Sequence, residues 1–449
     1  MNLSYPANGL TSYPAIRPSS KEGLGFYCAE PKERHRGGMM TRSDSLVPQS
    51  LALFDRASQV IPGGIYGHMS PVLTVPGEFP YYAERAEGAH YWDVDGRKYL
   101  DWICAYGPIV LGYNHPEVEE AAEIQRRKGN CFNHPAPVMV ELAEELVSRV
   151  DFASWAVFGK NGSDMTTWSL QVAREFTQRK YIVRNTGVYH GTHAWCTPGH
   201  AGLIPEDRSA LLEFPWNDVE GFKDLIQRYP NQIAALITGP FHYPAFGDSV
   251  LPEEGYFKEI EGLCRKHGIL LILDDVRGGF RLHRGGSHQS LGFTPDLICF
   301  CKAIGNGHPL SATLGRADLK TAASKVFLTG SYWNSAVPMA AALTNLRVLD
   351  RIQGIEHMSR IGSLLMKGLE VAANENGFQV KCSGYPAMPF VRFAEETNFM
   401  RQQEFCSLMA REGVFLHPHH NWFVSCAHTE ADVLETVEKA KSCYRQLKK

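Results

Sequence analysis

Between residues 155 and 300 the chain alternates helical stretches with short, nearly unbroken apolar runs. The runs are Trp155–Phe158, Tyr181–Val183, Ile233–Ile237, Ile269–Leu273 and Leu297–Phe300. Continuous hydrophobicity, rather than in-out alternation, predicts strands that are covered on both faces. The helical stretches between them supply the crossovers that parallel strands need. The pattern predicts an α/β fold with a mostly parallel sheet and helices on both faces. In such sheets ligands gather beyond the carboxyl ends of the strands.

The pattern changes on either side of this block. Residues 1–45 are rich in Pro, Ser, Gly and charge without a sustained period, which predicts a loosely ordered extension. A helix from Leu51 leads to Ile61-Pro-Gly-Gly64. Short strands follow around Ala89–Val94 and Tyr99–Ile103, joined at the Asp95-Gly96 turn. Beyond residue 335 helical patterns cover Met339–Ile352, Met358–Ala373 and Thr429–Gln446. The expected organisation is an extension (1–45), the first part of a small α+β domain (46–105), a large domain (106–335) and the rest of the small domain (336–449).

Composition narrows the function class. The chain has 449 residues, 44% of them hydrophobic and 21% charged, which suits a soluble enzyme with a large core. With 45 basic against 48 acidic residues and a net charge of -3, it carries no footprint for nucleic acid. No apolar run is long enough to span a membrane and the start lacks the order of a secretion signal, so the expected location is the cytoplasm. The 11 cysteines are scattered, many in apolar strands or helices such as Cys299, Cys301 and Cys264, as reduced buried thiols are. No metal is expected. The histidines at 417, 419 and 420 crowd one segment, but Pro418 breaks any helical ligand spacing and no carboxylate lies beside them.

Candidate chemistry sits at the strand ends. Lys302 follows the Leu297–Phe300 run, and Asp274 with Asp275 ends the Ile269–Leu273 run. A carbonyl cofactor needs an amine made nucleophilic near neutral pH by burial and neighbouring charge, and its pyridine nitrogen needs a buried anion to stay protonated. Lys302 and Asp274 are of those types, and together they point to pyridoxal phosphate. Strand Trp155–Phe158 runs into Gly159-Lys-Asn-Gly-Ser163 before a helix from about Asp164. There Gly162 and Ser163 can present backbone N–H groups and a helix dipole to a phosphate. Tyr189, after the Tyr181–Val183 strand, can stack on a pyridine ring. Each feature alone also fits ordinary structure: a surface lysine, a capping serine, a core aromatic. Their occurrence in this order, each after its own strand, favours the cofactor.

These residues resemble the class III, fold-type I aminotransferases over about Phe54 to Thr429. The resemblance rests on Ile61-Pro-Gly-Gly, Trp92-Asp-Val-Asp-Gly, Gly112-Tyr-Asn-His-Pro, Asn161-Gly-Ser-Asp, Tyr189-His-Gly, Asp274-Asp-Val-Arg-Gly-Gly-Phe-Arg281 and Lys302. It implies a seven-stranded sheet and a pyridoxal phosphate cofactor. By the same similarity Lys302 is the Schiff-base lysine, Asp274 the partner of the pyridine nitrogen, Val276 a ring-packing residue and Tyr189 the stacking aromatic. Gly162 and Ser163 bind the phosphate. Ser331 stands where the family reaches into the neighbouring subunit's phosphate site, which implies a homodimer with shared active sites.

Two departures bear on the substrate. The family's aminomutases carry an arginine after Ile-Pro-Gly-Gly and a glutamate near the carboxyl end. Here those stretches read Ile65-Tyr-Gly-His-Met-Ser-Pro-Val-Leu73 and His417-Pro-His-His-Asn-Trp-Phe423. Without both ionic groups a small diamino acid loses its anchors, which argues against isomerisation. Ile65-Tyr-Gly-His, Cys104-Ala-Tyr-Gly-Pro, Asp274-Asp-Val-Arg and Thr329-Gly-Ser-Tyr-Trp resemble a narrower group, the fumonisin aminotransferases. That group implies a long, largely apolar aminopolyol as donor and pyruvate as acceptor. Tyr66, Met69, Tyr106, Trp333 and Trp422 would form an apolar pocket, with His419 at its polar mouth. Arg277 is a candidate for holding the acceptor carboxylate. The other readings are an aminomutase or amino-acid transaminase, and a non-catalytic protein of the same fold.

Overall fold

The computed structural model describes residues 45–67, 74–75, 77–244 and 247–447; the expected extension and Met69 lie outside them. The chain opens with helix α1 (Pro48–Val60) and strands β1 (Ala83–Glu87), β2 (His90–Asp93) and β3 (Lys98–Asp101). Helices α2 (Pro116–Lys128) and α3 (Pro137–Arg149) lead to β4 (Trp155–Gly159) and α4 (Gly162–Thr177). Then come β5 (Tyr181–Asn185), β6 (Leu211–Phe214), α5 (Val219–Arg228), β7 (Ile233–Thr238), α6 (Tyr256–His267) and β8 (Leu270–Asp274). After the short α7 (Ser287–Leu291) follow β9 (Leu297–Phe300), β10 (Ser311–Gly315) and α8 (Lys320–Lys325). The last part holds α9 (Ala336–Arg351), α10 (Gly354–Glu375), β11 (Val380–Ser383), β12 (Phe390–Phe393), α11 (Met400–Arg411), β13 (Val414–Phe415) and α12 (Glu430–Leu447).

The central sheet has seven strands in the order β4-β10-β9-β8-β7-β5-β6. β10 runs antiparallel to both β4 and β9, while β5, β6, β7, β8 and β9 pair in parallel. Reversal on both sides of β10 leaves β4 pointing the same way as β9. The carboxyl ends of β4, β5, β7, β8 and β9 therefore open on one edge. The apolar runs become strands because both their faces are covered: all five residues of β8 and all six of β7 are buried. Each fully buried Leu or Ile contributes roughly 1.5–3 kcal/mol.

Two strands carried no apolar run to announce them. In β10, Ser-Ala-Thr-Leu-Gly, every residue is buried although all but Leu314 are small or carry a hydroxyl. The Thr313 hydroxyl is met inside the protein, its Oγ1 lying 3.3 Å from Ser169 Oγ of α4. β6 is one of the two edge strands, only partly covered, and so has a weak apolar signal. A second sheet, β1-β2-β3-β13, pairs strands from the two ends of the chain, with β13 parallel to β3. Among the described residues no helix is long and apolar enough to cross a membrane.

Candidate active site

β8 and β9 end side by side and deliver an acid and a base to the same edge. Asp274, 2% exposed, closes β8; its Oδ2 lies 2.7 Å from His190 Nδ1, and its Oδ1 accepts the Val276 N–H at 3.2 Å. His190 is itself buried and its ring stacks on Trp195 at 5.9 Å. Next door, β9 passes through Cys301 to Lys302, whose backbone sits in the left-handed region at φ 47°. A lysine adopts that conformation only when its surroundings fix it. Here the following turn is held from below: buried Asn345 of α9 donates to the carbonyls of Ala303 and Ile304 at 2.8 and 3.0 Å. Asn306 adds a second clamp, accepting from the Val110 and Leu111 N–H groups and donating to the Gly112 carbonyl.

Lys302 is half-buried on the cavity wall, and its amine faces Phe423, whose ring centre is 5.8 Å from Nζ. Burial pushes its pKa down from 10.5 to about 7, and the nearby Arg277 guanidinium pushes in the same direction. The amine is thus substantially neutral, and nucleophilic, at physiological pH. In the cofactor-free protein the rate of aldehyde capture at Lys302 is expected to rise with pH and level off above about 7. Stopped-flow mixing with pyridoxal phosphate across a pH series checks this; a rise centred near the ordinary lysine value of 10.5 would contradict it.

The loop after β4 completes the site. α4 begins at Gly162, and the Asp164 carboxylate turns back to accept from the N–H groups of Lys160 and Asn161 at 3.1 and 2.8 Å. Gly162 and Ser163 then stand at the positive end of a 16-residue helix. The packing explains the glycines. A Cβ at Gly162 would meet Val276 Cγ2 at 2.9 Å, and one at Gly191 would collide with Ser163 Oγ. Lys302, Asp274, Val276, Gly162, Ser163, Tyr189 and Arg277 all border one cavity of 570 Å³. Tyr189 and the Tyr243 hydroxyl meet through the Tyr189 carbonyl at 3.5 Å.

The expected substrate-pocket residues fare differently, and none of the five described ones borders this cavity. Trp422 is 0% exposed; its indole N–H donates to the His417 carbonyl at 2.9 Å and its ring stands edge-on to Phe390. It is a core residue, and its neighbour Phe423 is the aromatic that faces Lys302. His419 stacks on Phe399 and bonds Gln403 through Nε2 at 2.8 Å. Trp333 packs on the apolar cluster around Trp155 and Met165. Tyr66 and Ser331 are exposed in the single chain. Tyr106 lies behind the cavity, in an apolar cluster with Phe423, Tyr243 and Tyr189, and its ring is 5.2 Å from His420. It is set there by a strained turn: Cys104, Ala105 and Tyr106 all have positive φ. Asp101 holds that turn, accepting from the Ile103 and Cys104 N–H groups at 2.8 and 3.0 Å. The His417 ring lies edge to face about 6 Å from the rings of His419 and His420.

A family model, aminotransferase class III, matches residues 74–439. The chain is a class III aminotransferase. It is 42% identical over 386 residues to an aminopentol aminotransferase of Sphingopyxis macrogoltabida, covering 86% of this chain and 91% of the relative. It is 32% identical over 406 residues to a 3-aminobutyryl-CoA aminotransferase of Cloacimonas acidaminovorans (strain Evry), covering 89% of this chain and 98% of that one. Among solved structures it is similar to the pyridoxal phosphate internal aldimine form of the FumI protein from Sphingopyxis sp. MTA144. That match has a TM-score of 0.87 and 40% identity, over 88% of this chain and 96% of the other. The aminotransferase uses pyridoxal phosphate, and its residues fit the cofactor. A largely neutral amine, a buried carboxylate and a helix start border one cavity, and a Cβ at Gly162 or Gly191 would strike Val276 or Ser163 on its wall.

Proposed function

We propose that this aminotransferase moves the amino group of a long, largely apolar aminopolyol to a small oxo-acid, pyruvate, releasing a ketone and alanine. The observation that carries the donor is the 42% identity, over most of both chains, to a protein named for an aminopentol. The apolar wall of Phe423, Tyr243, Tyr189 and Tyr106 behind the cavity supports it.

The geometry supports the following roles. When bound, pyridoxal phosphate supplies the carbonyl that takes up the amino group and the ring that accepts the electrons released at the substrate carbon. Lys302 Nζ, held largely neutral by burial, secures the cofactor and then carries the proton lost from the substrate carbon. Asp274, fixed by His190 and the Val276 N–H, would hold a carboxylate toward the ring nitrogen. Tyr189 and Val276 border the cavity and would pack against the ring, while Gly162 and Ser163 would hold the phosphate. We further propose a homodimer in the cytoplasm, in which Ser331 and Tyr66, exposed in one chain, are covered by the second.

Mixing the purified yellow protein with a long-chain aminopolyol should bleach the bound chromophore, and pyruvate should then restore it with stoichiometric alanine. Bleaching by amino acids alone would instead support an amino-acid transaminase. Turnover with no external acceptor would support an aminomutase.

A further inference from the structure

We infer that Arg277 binds the carboxylate of the oxo-acid acceptor. The inference rests on the reading that an oxo-acid is the second substrate. Arg277 lies on the loop after β8, is 7% exposed, and borders the same cavity as Lys302 and Asp274. Burying a guanidinium costs several kcal/mol unless an anion or a full set of acceptors meets it. Arg149 is met by Glu145 and Asp350, and Arg184 by Glu213. Arg281 shares an unpartnered Nε but is met at its two terminal nitrogens by the carbonyls of Val424, Gly107 and Ile109. Arg277 has neither kind of partner. Its Nη1 donates to the side chain of Asn421, its Nε is buried without a partner, and among the described residues it forms no ion pair.

What holds Arg277 is a ring face. Its guanidinium lies 3.7 Å from the centre of the Tyr243 ring, with Phe423 at 5.9 Å. Tyr243 and Asn421 are therefore its positioning residues. The nearby acid, Asp274, is already engaged by His190 and the Val276 N–H. A planar fork of donors with unmet capacity, beside the reacting amine, matches a small planar anion. The proposed aminopolyol donor brings no carboxylate, so the acceptor is the anion this site meets. In a 2-oxo acid the carboxylate is one bond from the carbonyl carbon. Pinning it at Arg277 sets the carbonyl within the cavity where Lys302 moves the proton. During the donor half of the reaction the guanidinium stays paired with the Tyr243 face and Asn421.

The test separates the two halves of the reaction. Enzyme loaded with pyridoxamine phosphate is mixed with pyruvate or with pyruvamide, which has the same shape without the charge; enzyme in the yellow form is mixed with the amine. In Arg277→Met the rate constant with pyruvate should fall roughly 100- to 1000-fold, as expected for losing charge-assisted, two-point hydrogen bonding. The loss with pyruvate should exceed any loss with pyruvamide or with the amine by at least about 10-fold. Arg277→Lys, which keeps the charge but not the fork, should lose about 10-fold and only with pyruvate. It carries the test alone if the methionine variant does not fold. Two results overturn the inference while leaving the oxo-acid reading intact: a pyruvate preference preserved in the variants, or an equal loss with all three compounds. A wild-type enzyme that shows no preference for pyruvate over pyruvamide overturns both.

Discussion

Lys302→Ala should abolish turnover, lowering kcat by at least about 10⁴-fold, because one residue serves as both cofactor tether and proton carrier. The loss should extend to every amine and every acceptor, unlike the selective defect expected at Arg277. It should also be visible without catalysis: borohydride treatment should fix the cofactor to the wild-type chain and leave the alanine variant at its unmodified mass. The same amine predicts a stability effect in the cofactor-free protein. Its folded pKa of about 7 is below the ordinary 10.5, so between those values the folded chain binds fewer protons than the unfolded chain. Stability contributed through this group therefore rises with pH across that window and is at its lowest below about 7. Thermal unfolding of cofactor-free wild type should show this rise relative to Lys302→Met, which has no titrating amine. Substantial activity in Lys302→Ala would sink the assignment.

How far the sequence carried this reading depends on the kind of signal. Strands β4, β7, β8 and β9 were legible because burial on both faces demands unbroken apolar runs, and Lys302 and Asp274 were legible as charged residues at the ends of two of them. β10 was hidden because it is buried through small and hydroxyl side chains, one of which, Thr313, bonds to Ser169 of α4. The substrate side was harder. Trp422 and Phe423 are adjacent aromatics, and only the path of an irregular segment decides that the tryptophan enters the core while the phenylalanine faces Lys302. His190 escaped attention although it follows Tyr189, because its bond to Asp274 spans 84 residues of chain. Likewise, the sequence offered Arg277 as a candidate but held no sign of its missing counter-ion, which emerges only when each buried arginine is compared with its neighbours. Tyr106 combined both cases: the phrase around it was distinctive, yet the left-handed turn that sets its ring is a property of backbone that no residue type announces.

Asp274→Asn should leave the protein folded and yellow yet slow, lowering kcat about 10²- to 10³-fold, in the range found when one charge-stabilising group is removed from an active site. The substitution keeps the size of the side chain and leaves Lys302, Gly162 and Ser163 in place, so cofactor retention should survive. What is lost is the anion, which is 2% exposed and hydrogen-bonded to a buried histidine, and nothing else acidic on the cavity wall replaces it: Asp164 is committed to the N–H groups of Lys160 and Asn161. Asp275, though adjacent in sequence, does not border the cavity and is held by Ser287, with burial pushing its pKa up to about 7. It therefore cannot take over as a reliable anion at neutral pH. Because the carboxylate acts on electron withdrawal rather than on either substrate, the donor and acceptor half-reactions should slow by the same factor. Single-turnover rates for each half, measured by the loss and return of the chromophore, check this. A variant slowed only with pyruvate would move Asp274 from the cofactor to the acceptor, and one with near wild-type rates in both halves would leave the ring nitrogen without its proposed partner.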